Sequence, residues 1–186
     1  MTSRPYFSIV LSTYGRGEHI RPTIESVLGQ THSDFELIVV GDGCADETEA
    51  IVESFANDKI IWRNLPANTG SQSLPNNEGI RCARGGWICY LGHDDIWSPD
   101  HLSCLAQVIW THDGSDFIVS GCIYYEPKDS GFYLITGLFE PCRLFASANP
   151  AALCSNCTML CPAASSCSTP FDLLPLANGV TVSEAD

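Results

Sequence analysis

The apolar positions of this chain change their period several times between residues 6 and 124. Short apolar runs rich in Val, Ile and aromatic residues are typical of buried strands, whereas apolar residues that recur every three or four positions are typical of helices facing a core. The short runs predict five strands, over residues 6–12, 35–40, 60–63, 87–91 and 117–124. The periodic stretches predict four helices between them, around residues 20–28, 46–55, 73–84 and 99–109.

Two of these helices carry start signals. Asp46 followed by Glu49 is typical of a capping box with Asp46 as the N-cap residue, and Pro99 is typical of the first helical position. Strand and helix alternating at this spacing predict an α/β fold, in which helices cover both faces of a mostly parallel sheet.

The residues directly after the strands are the candidates for chemistry, because ligands of such sheets bind outside the carboxyl ends of the strands. Ser12 and Tyr14 lie at the end of the first strand, Asp42 follows the second, and Asp94 and Asp95 follow the fourth. Tyr14 is suited to stacking on a base or to the core. Asp42 is suited to accepting a hydrogen bond from a base or a ribose, or to forming a turn.

The adjacent carboxylates of Asp94 and Asp95 repel each other unless a cation lies between them or one is protonated. One interpretation is a Mn²⁺ or Mg²⁺ ion that bridges a diphosphate; the other is a turn or a helix cap. His93 adjoins the pair, but without a second ligand nearby metal ligation by His93 is not favoured. The other histidines are expected on helix surfaces: His19, His32, His101 and His112.

The composition limits the partners of the chain. Its 186 residues are 45% hydrophobic and 17% charged, which is typical of one globular core, and the net charge is -13. This charge excludes nucleic acid and a polybasic membrane contact, because Lys59 and Lys128 are the only lysines. No apolar run approaches the ~20 residues of a membrane span and no export signal is visible, so a cytoplasmic location is expected.

Motifs of competing nucleotide-binding and hydrolase folds are missing from the sequence. The first strand is followed neither by G-x-G-x-x-G nor by a P-loop, and no serine lies in a G-x-S-x-G elbow. These absences argue against a dehydrogenase, a P-loop enzyme and an α/β-hydrolase.

Four segments together resemble the family-2 glycosyltransferases with the GT-A fold, in order and at family spacing. FSIVLSTYGR resembles an opening strand that usually ends T-Y-N-R, and IESVLGQT with FELIVVGDGCADET resembles S-V-L-x-Q-T followed by D-D-G-S-x-D-x-T. NTG with NEGI resembles N-x-G and R-N-x-G-I, and GWICYLGHDDIWSPD resembles a motif containing D-x-D-D. The resemblance covers roughly residues 6 to 125, and implies a Rossmann-like sheet that binds a nucleotide-diphosphate sugar.

The resemblance also implies roles for single residues. Ser12 and Tyr14 would flank the base and Asp42 would accept from its N3–H; Asn77 belongs to the matched nucleotide-binding segment. Asp94 would face the ribose and diphosphate, and Asp95 would be the principal metal ligand. Four positions depart from the family pattern, in which two aspartates, a serine and an arginine are usual: Gly41, Gly92, Cys44 and Asn76.

The last 50 residues have a different character, with five cysteines, five prolines and only five charges. They predict a boundary between a nucleotide-sugar-binding domain over 1–136 and an atypical tail over 137–186, disordered or non-native, left by truncation of the fold at its C-terminal end. Four tail cysteines lack the paired knuckles of a zinc site: Cys154, Cys157, Cys161 and Cys167. The cysteines before residue 136 are expected to be buried free thiols.

The resemblance implies an inverting, metal-dependent glycosyltransferase that moves a sugar from a UDP-sugar to a hydroxyl acceptor, either a glycan or a lipid-linked one, in cell-wall or polysaccharide synthesis. Inversion requires a general base, and no candidate is identifiable in the tail. The alternative is therefore a catalytically incomplete fragment that at most binds nucleotide. A nucleotidyltransferase would need a phosphate loop after the first strand, which the chain lacks.

Overall fold

The computed structural model describes residues 4–111, 118–120, 122–124, 134–136 and 159–162. Strands and helices alternate along most of them, in this order: β1 (Phe7–Thr13), α1 (Gly17–Leu28), β2 (Phe35–Gly41), α2 (Thr48–Ser54), β3 (Ile60–Asn64), α3 (Ser73–Cys82), β4 (Trp87–Gly92), α4 (His101–Thr111), β5 (Ile118–Val119), β6 (Cys122–Tyr124), β7 (Leu134–Thr136) and β8 (Met159–Pro162).

Six strands form one sheet in the order β3-β2-β1-β4-β8-β5, and β6 pairs with β7 in a second sheet. Strands β1 to β4 are mutually parallel, whereas β8 is antiparallel to both β4 and β5. Strands β2 and β3 follow β1 on one side of it in the sheet, and β4 lies on the other side of β1. The strand order reverses at β1, which is where a sheet of this kind binds its ligands.

Helices cover both faces of the sheet, as the sequence predicted. Every residue of β1 and β2 is buried, which a parallel strand covered on both sides requires. Ile9 and Leu11 belong to a core that includes residues of α1, α2 and α4. Val10 points to the opposite face and meets α3, where a Cβ added at Gly79 would lie 2.4 Å from Val10 Cγ1.

Both predicted helix starts are wrong by one or two residues. Helix α2 begins at Thr48 with Glu47 as its N-cap. The Asp46 carboxylate still accepts from Thr48, from its hydroxyl at 2.6 Å and its backbone N–H at 3.3 Å, and from the backbone N–H of Gly17 at 3.3 Å. Helix α4 begins at His101. The carbonyl of Pro99 accepts from the backbone N–H of Thr31 at 2.8 Å, which holds Pro99 in the preceding turn.

The single strand predicted over 117–124 is divided between two sheets. Ile118–Val119 pairs with β8 in the main sheet, whereas Cys122–Tyr124 pairs with β7. An apolar run cannot reveal such a division, because it depends on which distant strands become partners.

The tail contributes a strand to the main sheet. Met159–Pro162 pairs with β4, and Cys161 is opposite Ile88 in the register. The rest of 137–186, which includes the other four tail cysteines, lies outside the described residues, so the boundary at 136 and the disordered tail stay predictions.

Four cysteines whose side chains the structure describes are free, but they are not uniformly buried. Cys89 is buried, Cys44 and Cys82 are half-buried, and Cys104 is exposed. The expectation of buried thiols is therefore wrong for Cys104, which lies on the outer side of α4 near Asp100. None of the helices in the described part of the chain combines the length and the apolar character that crossing a bilayer requires.

Candidate functional site

A cavity of about 390 Å³ opens where β1, β2 and β4 end. The strand ends contribute one side of it, and the loop that leads into α3 contributes the other. Its lining residues are Ser12, Thr13, Tyr14, Asp42, Asn68, Gly70, Ser71, Gln72, Pro75 and His93. Three residues predicted from the strand-end rule, Ser12, Tyr14 and Asp42, therefore lie together.

Asp42 is the buried anion of this cavity, with 5% of its surface exposed. Its backbone N–H donates to the carbonyl of Thr13 at 2.8 Å, which fixes it beside the end of β1. Both carboxylate oxygens accept from the backbone N–H of Thr69, at 3.0 and 3.1 Å. A carboxylate has about four acceptor sites, so Asp42 keeps acceptor capacity that a donor in the cavity could use.

The loop that supplies the Thr69 N–H is held by its own turns and by a glycine. Asn68 Oδ1 accepts from the Gly70 N–H at 2.6 Å, which closes a tight turn around Thr69. Gly43 has a φ of 72°, and a Cβ there would lie 2.4 Å from backbone atoms of Ala67 and Asn68. Only glycine allows the two loops to approach this closely.

Two neighbouring side chains leave no space for a side chain at Gly41. A Cβ at Gly41 would lie 2.6 Å from both Asn64 Oδ1 and Trp62 Cη2. Asn64 is itself fixed, because its side chain accepts from the Cys44 N–H at 2.9 Å and donates to the Cys44 carbonyl at 2.8 Å. The aspartate that is usual here in the resembled family has no space in this chain.

The two carboxylates that follow β4 converge on Gly92. A Cβ added there would lie 2.5 Å from Asp95 Oδ2 and 3.4 Å from Asp94 Oδ1. Asp94 is exposed and Asp95 is half-buried. Burial raises the pKa of Asp95, and the charge of Asp94 raises it further. The pair thus carries an electrostatic strain that a cation would relieve.

The carboxylates of Asp94 and Asp95 are suitable ligands for a hard divalent cation, but two carboxylates do not complete its coordination. The described residues contain no group of three His, Cys, Asp or Glu side chains arranged around one metal position. Mg²⁺ and ions of its kind are commonly held by one or two carboxylates, with water and substrate phosphates as the other ligands. Asp94 and Asp95 supply the protein share of such a set.

Asn77 and the acidic pair lie outside the cavity lining. Asn77 is on α3, and its Oδ1 is buried without a hydrogen-bond partner. Asp94 and Asp95 directly follow His93 along the chain, and His93 lines the cavity. The roles of all three residues stay predictions.

Several lining residues were not predicted from the sequence. Thr13 lies between Ser12 and Tyr14, in the stretch that the strand-end rule marks, but no role is predicted for it. The polar stretch Ser71 to Gln72 has no pattern of its own. The N-T-G turn at 68–70 was the available signal, because a turn that precedes a helix can bring its backbone to a neighbouring strand end.

His101 differs from the surface position expected for it. Its ring stacks on Trp97 at 4.6 Å between centroids, and its Nε2 is buried without a partner. Burial lowers the pKa of His101 to about 4. The histidine is therefore neutral at pH 7 and serves packing at the start of α4.

Comparison with known proteins decides the family. The family model described as glycosyl transferase family 2 matches residues 8–169, which is most of the chain. The chain belongs to glycosyl transferase family 2. The four motifs that suggested this family are thereby confirmed, and the match extends beyond residue 125 into the segment that carries β8.

Curated relatives agree with this family and are longer than the chain. An uncharacterized glycosyltransferase of Rickettsia prowazekii is 31% identical over 163 residues, which are 85% of this chain and 50% of the relative. Glycosyltransferase GlyG of Streptococcus pneumoniae is 30% identical over 132 residues, which are 70% of this chain and 44% of that protein. The chain spans about half the length of the curated relatives it matches.

Solved structures confirm the GT-A fold of this family-2 domain. TarS 1-349 of S. aureus, in complex with UDP, is 29% identical with a TM-score of 0.58, over 60% of this chain and 34% of that one. The mannosyltransferase PcManGT of Pyrobaculum calidifontis, in complex with GDP-Man and Mn2+, is 21% identical with a TM-score of 0.54, over 69% of this chain and 38% of that one. The chain thus carries a glycosyltransferase domain.

Proposed function

We propose that this family-2 domain binds a UDP-sugar donor and takes part in transferring its sugar, with inversion, to a hydroxyl acceptor. The observation that carries the proposal is the buried carboxylate of Asp42, which faces the cavity with unused acceptor capacity. TarS, which resembles the chain at 29% identity, has been solved in complex with UDP and with UDP-GlcNAc.

Base recognition follows from the chemistry of Asp42. An ionised carboxylate only accepts hydrogen bonds, so it favours uracil, whose N3 carries a proton, over cytosine, whose N3 is an acceptor. Ser12 lies on the same cavity wall, and the ring of Tyr14 is 54% exposed beside it, available to stack on the base.

Diphosphate binding requires a cation, since the chain carries a net charge of -13 and none of the described residues that line the cavity is a Lys or an Arg. Asp95, with Asp94 beside it, is the candidate ligand for Mn²⁺ or Mg²⁺. Such an ion, when bound, would neutralise charge on the leaving diphosphate. The protein's own part is to hold two carboxylates together at the end of β4, next to the cavity.

The test is thermal stability of the protein with nucleotide and Mn²⁺. UDP at ~100 times its dissociation constant should add ~2.7 kcal/mol of apparent stability, whereas CDP should add much less. Asp42→Asn should remove the preference for UDP, because an amide both donates and accepts. Asp95→Asn should remove the part of the stabilisation that depends on metal.

Asp58→Asn is the matched control, because Asp58 is exposed in the turn before β3 and away from the cavity. It should respond to UDP as the wild-type protein does. Equal stabilisation by UDP and CDP, or an Asp42→Asn variant that still prefers UDP, would contradict the proposed donor site.

A second candidate function is nucleotide binding without transfer. Asp42 is the only carboxylate among the lining residues in the described part of the chain, and the chain spans about half of its relatives' length. Release of sugar from UDP-sugar by wild-type protein, lost in Asp95→Asn, would favour transfer; UDP binding with no release would favour binding alone. The glycan or lipid-linked acceptor, the role in cell-wall or polysaccharide synthesis and the cytoplasmic location stay predictions.

A further inference from the structure

Helix α1 carries a polar edge that the donor site does not explain. Thr23, Ser26 and Gln30 follow one another at spacings of three and four, so they share one side of the helix and of its C-terminal turn. Thr23 is 1% exposed and Gln30 is 8% exposed. Buried polar side chains need partners, and these side chains find them in one segment of the chain.

That segment is residues 93–102, which comprises the connection from β4 to α4, with the acidic pair, and the first two residues of α4. Thr23 Oγ1 donates to the carbonyl of His93 at 2.9 Å, and Ser26 Oγ accepts from the N–H of Trp97 at 3.2 Å. Gln30 Nε2 donates to the carbonyl of Ser98 at 2.7 Å. Gln30 Oε1 accepts from the N–H of Leu102 at 2.9 Å.

These contacts occur in the same order along α1 and along the segment. All of them reach backbone atoms, so they place the main chain of the segment whatever its side chains are. The backbone of Thr31 and its hydroxyl extend the series, with the N–H donating to the carbonyl of Pro99 at 2.8 Å and the hydroxyl 2.7 Å from Ser103 Oγ.

The side chains of the polar edge are themselves oriented. Ser26 Oγ donates to the carbonyl of Thr23 at 2.7 Å, which leaves its lone pairs for the Trp97 N–H. Gln30 Nε2 also donates to the carbonyl of Ser26 at 3.1 Å, which directs its amide across the gap. Each group uses its donor and acceptor capacity in a single arrangement, and such satisfied networks are rigid.

The segment needs this support because it is irregular and carries like charges. No helix or strand runs from His93 to Asp100, so its backbone groups depend on partners elsewhere. Asp94 and Asp95 repel each other across a short distance, which favours a splayed loop. Bonds on both sides of the pair, at His93 and at Trp97, oppose that movement.

We infer that Thr23, Ser26 and Gln30 are positioning residues that hold Asp94 and Asp95 together at the end of β4, in a geometry prepared for a divalent cation and a diphosphate. The inference rests on the proposed function of the same site. It assigns a purpose to Ser26 and Gln30 of the segment IESVLGQT, which the sequence resemblance marked but did not explain, and to Thr23 directly before that segment.

The test removes the bonds without changing side-chain shape. Thr23→Val and Gln30→Met, alone and combined, remove the bonds that these two side chains make to residues 93–102 and leave the bond between Ser26 and Trp97 in place, while Thr23→Ser keeps the hydroxyl. Mn²⁺ affinity in the presence of UDP is measured by titration with the full chain. The double variant should bind Mn²⁺ roughly 10-fold more weakly, whereas Thr23→Ser should match the wild-type protein.

Two further readouts separate positioning from general destabilisation. The affinity for uridine, which has the base without the diphosphate, should be unchanged in the double variant without metal, because Asp42 and its partners are untouched. Hydrogen exchange of the amides in 93–102 should be faster in the metal-free double variant. Glu36→Gln is the matched control: it disturbs a buried polar network at the opposite end of β2 and should leave Mn²⁺ affinity unchanged.

The outcomes distinguish this inference from the proposed function. Wild-type protein that shows no Mn²⁺-dependent binding of UDP would overturn the proposed function and this inference with it. Wild-type binding with a double variant that binds Mn²⁺ equally well would overturn the positioning role alone. A Glu36→Gln variant that loses Mn²⁺ affinity to the same extent would also overturn it, since the effect would then be one of stability.

Discussion

A buried carboxylate lies near each end of strand β2, and the two differ in their hydrogen-bond partners. Glu36, 3% exposed, accepts from the hydroxyl of Ser8 at 2.6 Å and from the backbone N–H of Arg84 at 2.6 Å, and the Arg84 guanidinium pairs with it at 2.7 Å. Asp42, 5% exposed, accepts only from the Thr69 N–H among the described contacts and has no cation beside it.

The difference indicates that Glu36 serves the structure of the sheet, whereas Asp42 is left available for a ligand. The network around Glu36 is closed, because the Ser8 hydroxyl that donates to Glu36 also accepts from the Gly85 N–H at 2.7 Å. Such a network ties β1, β2 and the turn before β4 together at the amino end of the sheet. The carboxyl end instead keeps unused acceptors and like charges, which is typical of a site awaiting a ligand.

The largest effect is expected at the amino end. Glu36→Ala leaves the buried Ser8 hydroxyl and the partly buried Arg84 N–H without their acceptor, and should lower the free energy of unfolding by about 3 kcal/mol. Much of the Arg84 side chain is solvent-exposed, so its ion pair contributes the smaller share. Denaturant unfolding measures the loss. Any protein that remains folded should bind UDP normally; a loss below about 1 kcal/mol would show that the network is not structural.

Lowering the pH should reduce the free energy of unfolding in two steps, first through His101 and then, at lower pH, through Glu36. The folded-state pKa of His101 is lowered to about 4 from 6.5, so the unfolded chain binds more protons between these values and stability falls as the pH drops through this window. The loss should reach up to about 3 kcal/mol near pH 4. Hydrogen bonds lower the pKa of Glu36, so its contribution is present above its ordinary pKa and lost only as the pH falls through the lowered one.

Thermal unfolding measured from pH 7 to well below pH 4 checks this order. His101→Phe keeps a ring against Trp97 and should remove the loss of stability that His101 causes between pH 6.5 and about 4. An unaltered pH profile in His101→Phe would show that another group titrates there.

The smallest effect on stability is expected at Asp42. Asp42→Asn keeps an oxygen that accepts from Thr69, so the free energy of unfolding should change by less than about 1 kcal/mol, although UDP binding is weakened. Denaturant unfolding beside a UDP titration measures both quantities. A large loss of stability would show that Asp42, like Glu36, has a structural role, and would contradict the difference proposed between the two ends of β2.

Much of the site follows from the sequence through one rule of parallel sheets. Because the carboxyl ends of β1, β2 and β4 meet at one edge, the order of strands along the chain is enough to predict that Ser12, Tyr14 and Asp42 lie together. The Thr69 N–H is not predictable in this way, since it comes from a loop 27 residues after Asp42 that is placed by the close approach of Gly43 to Ala67. The convergence of Asp94 and Asp95 on Gly92 likewise depends on local backbone geometry.

The sequence by itself determined the alternation of strands and helices, the buried strands, and the carboxylates at strand ends. These features depend on local periodicity and on the fixed direction of parallel strands. Only the tertiary structure decided that residues 117–124 divide between two sheets, that β8 enters the main sheet beside β4, and that the polar edge of α1 holds the acidic segment. Each of these depends on contacts between residues far apart in the chain, which no local pattern encodes.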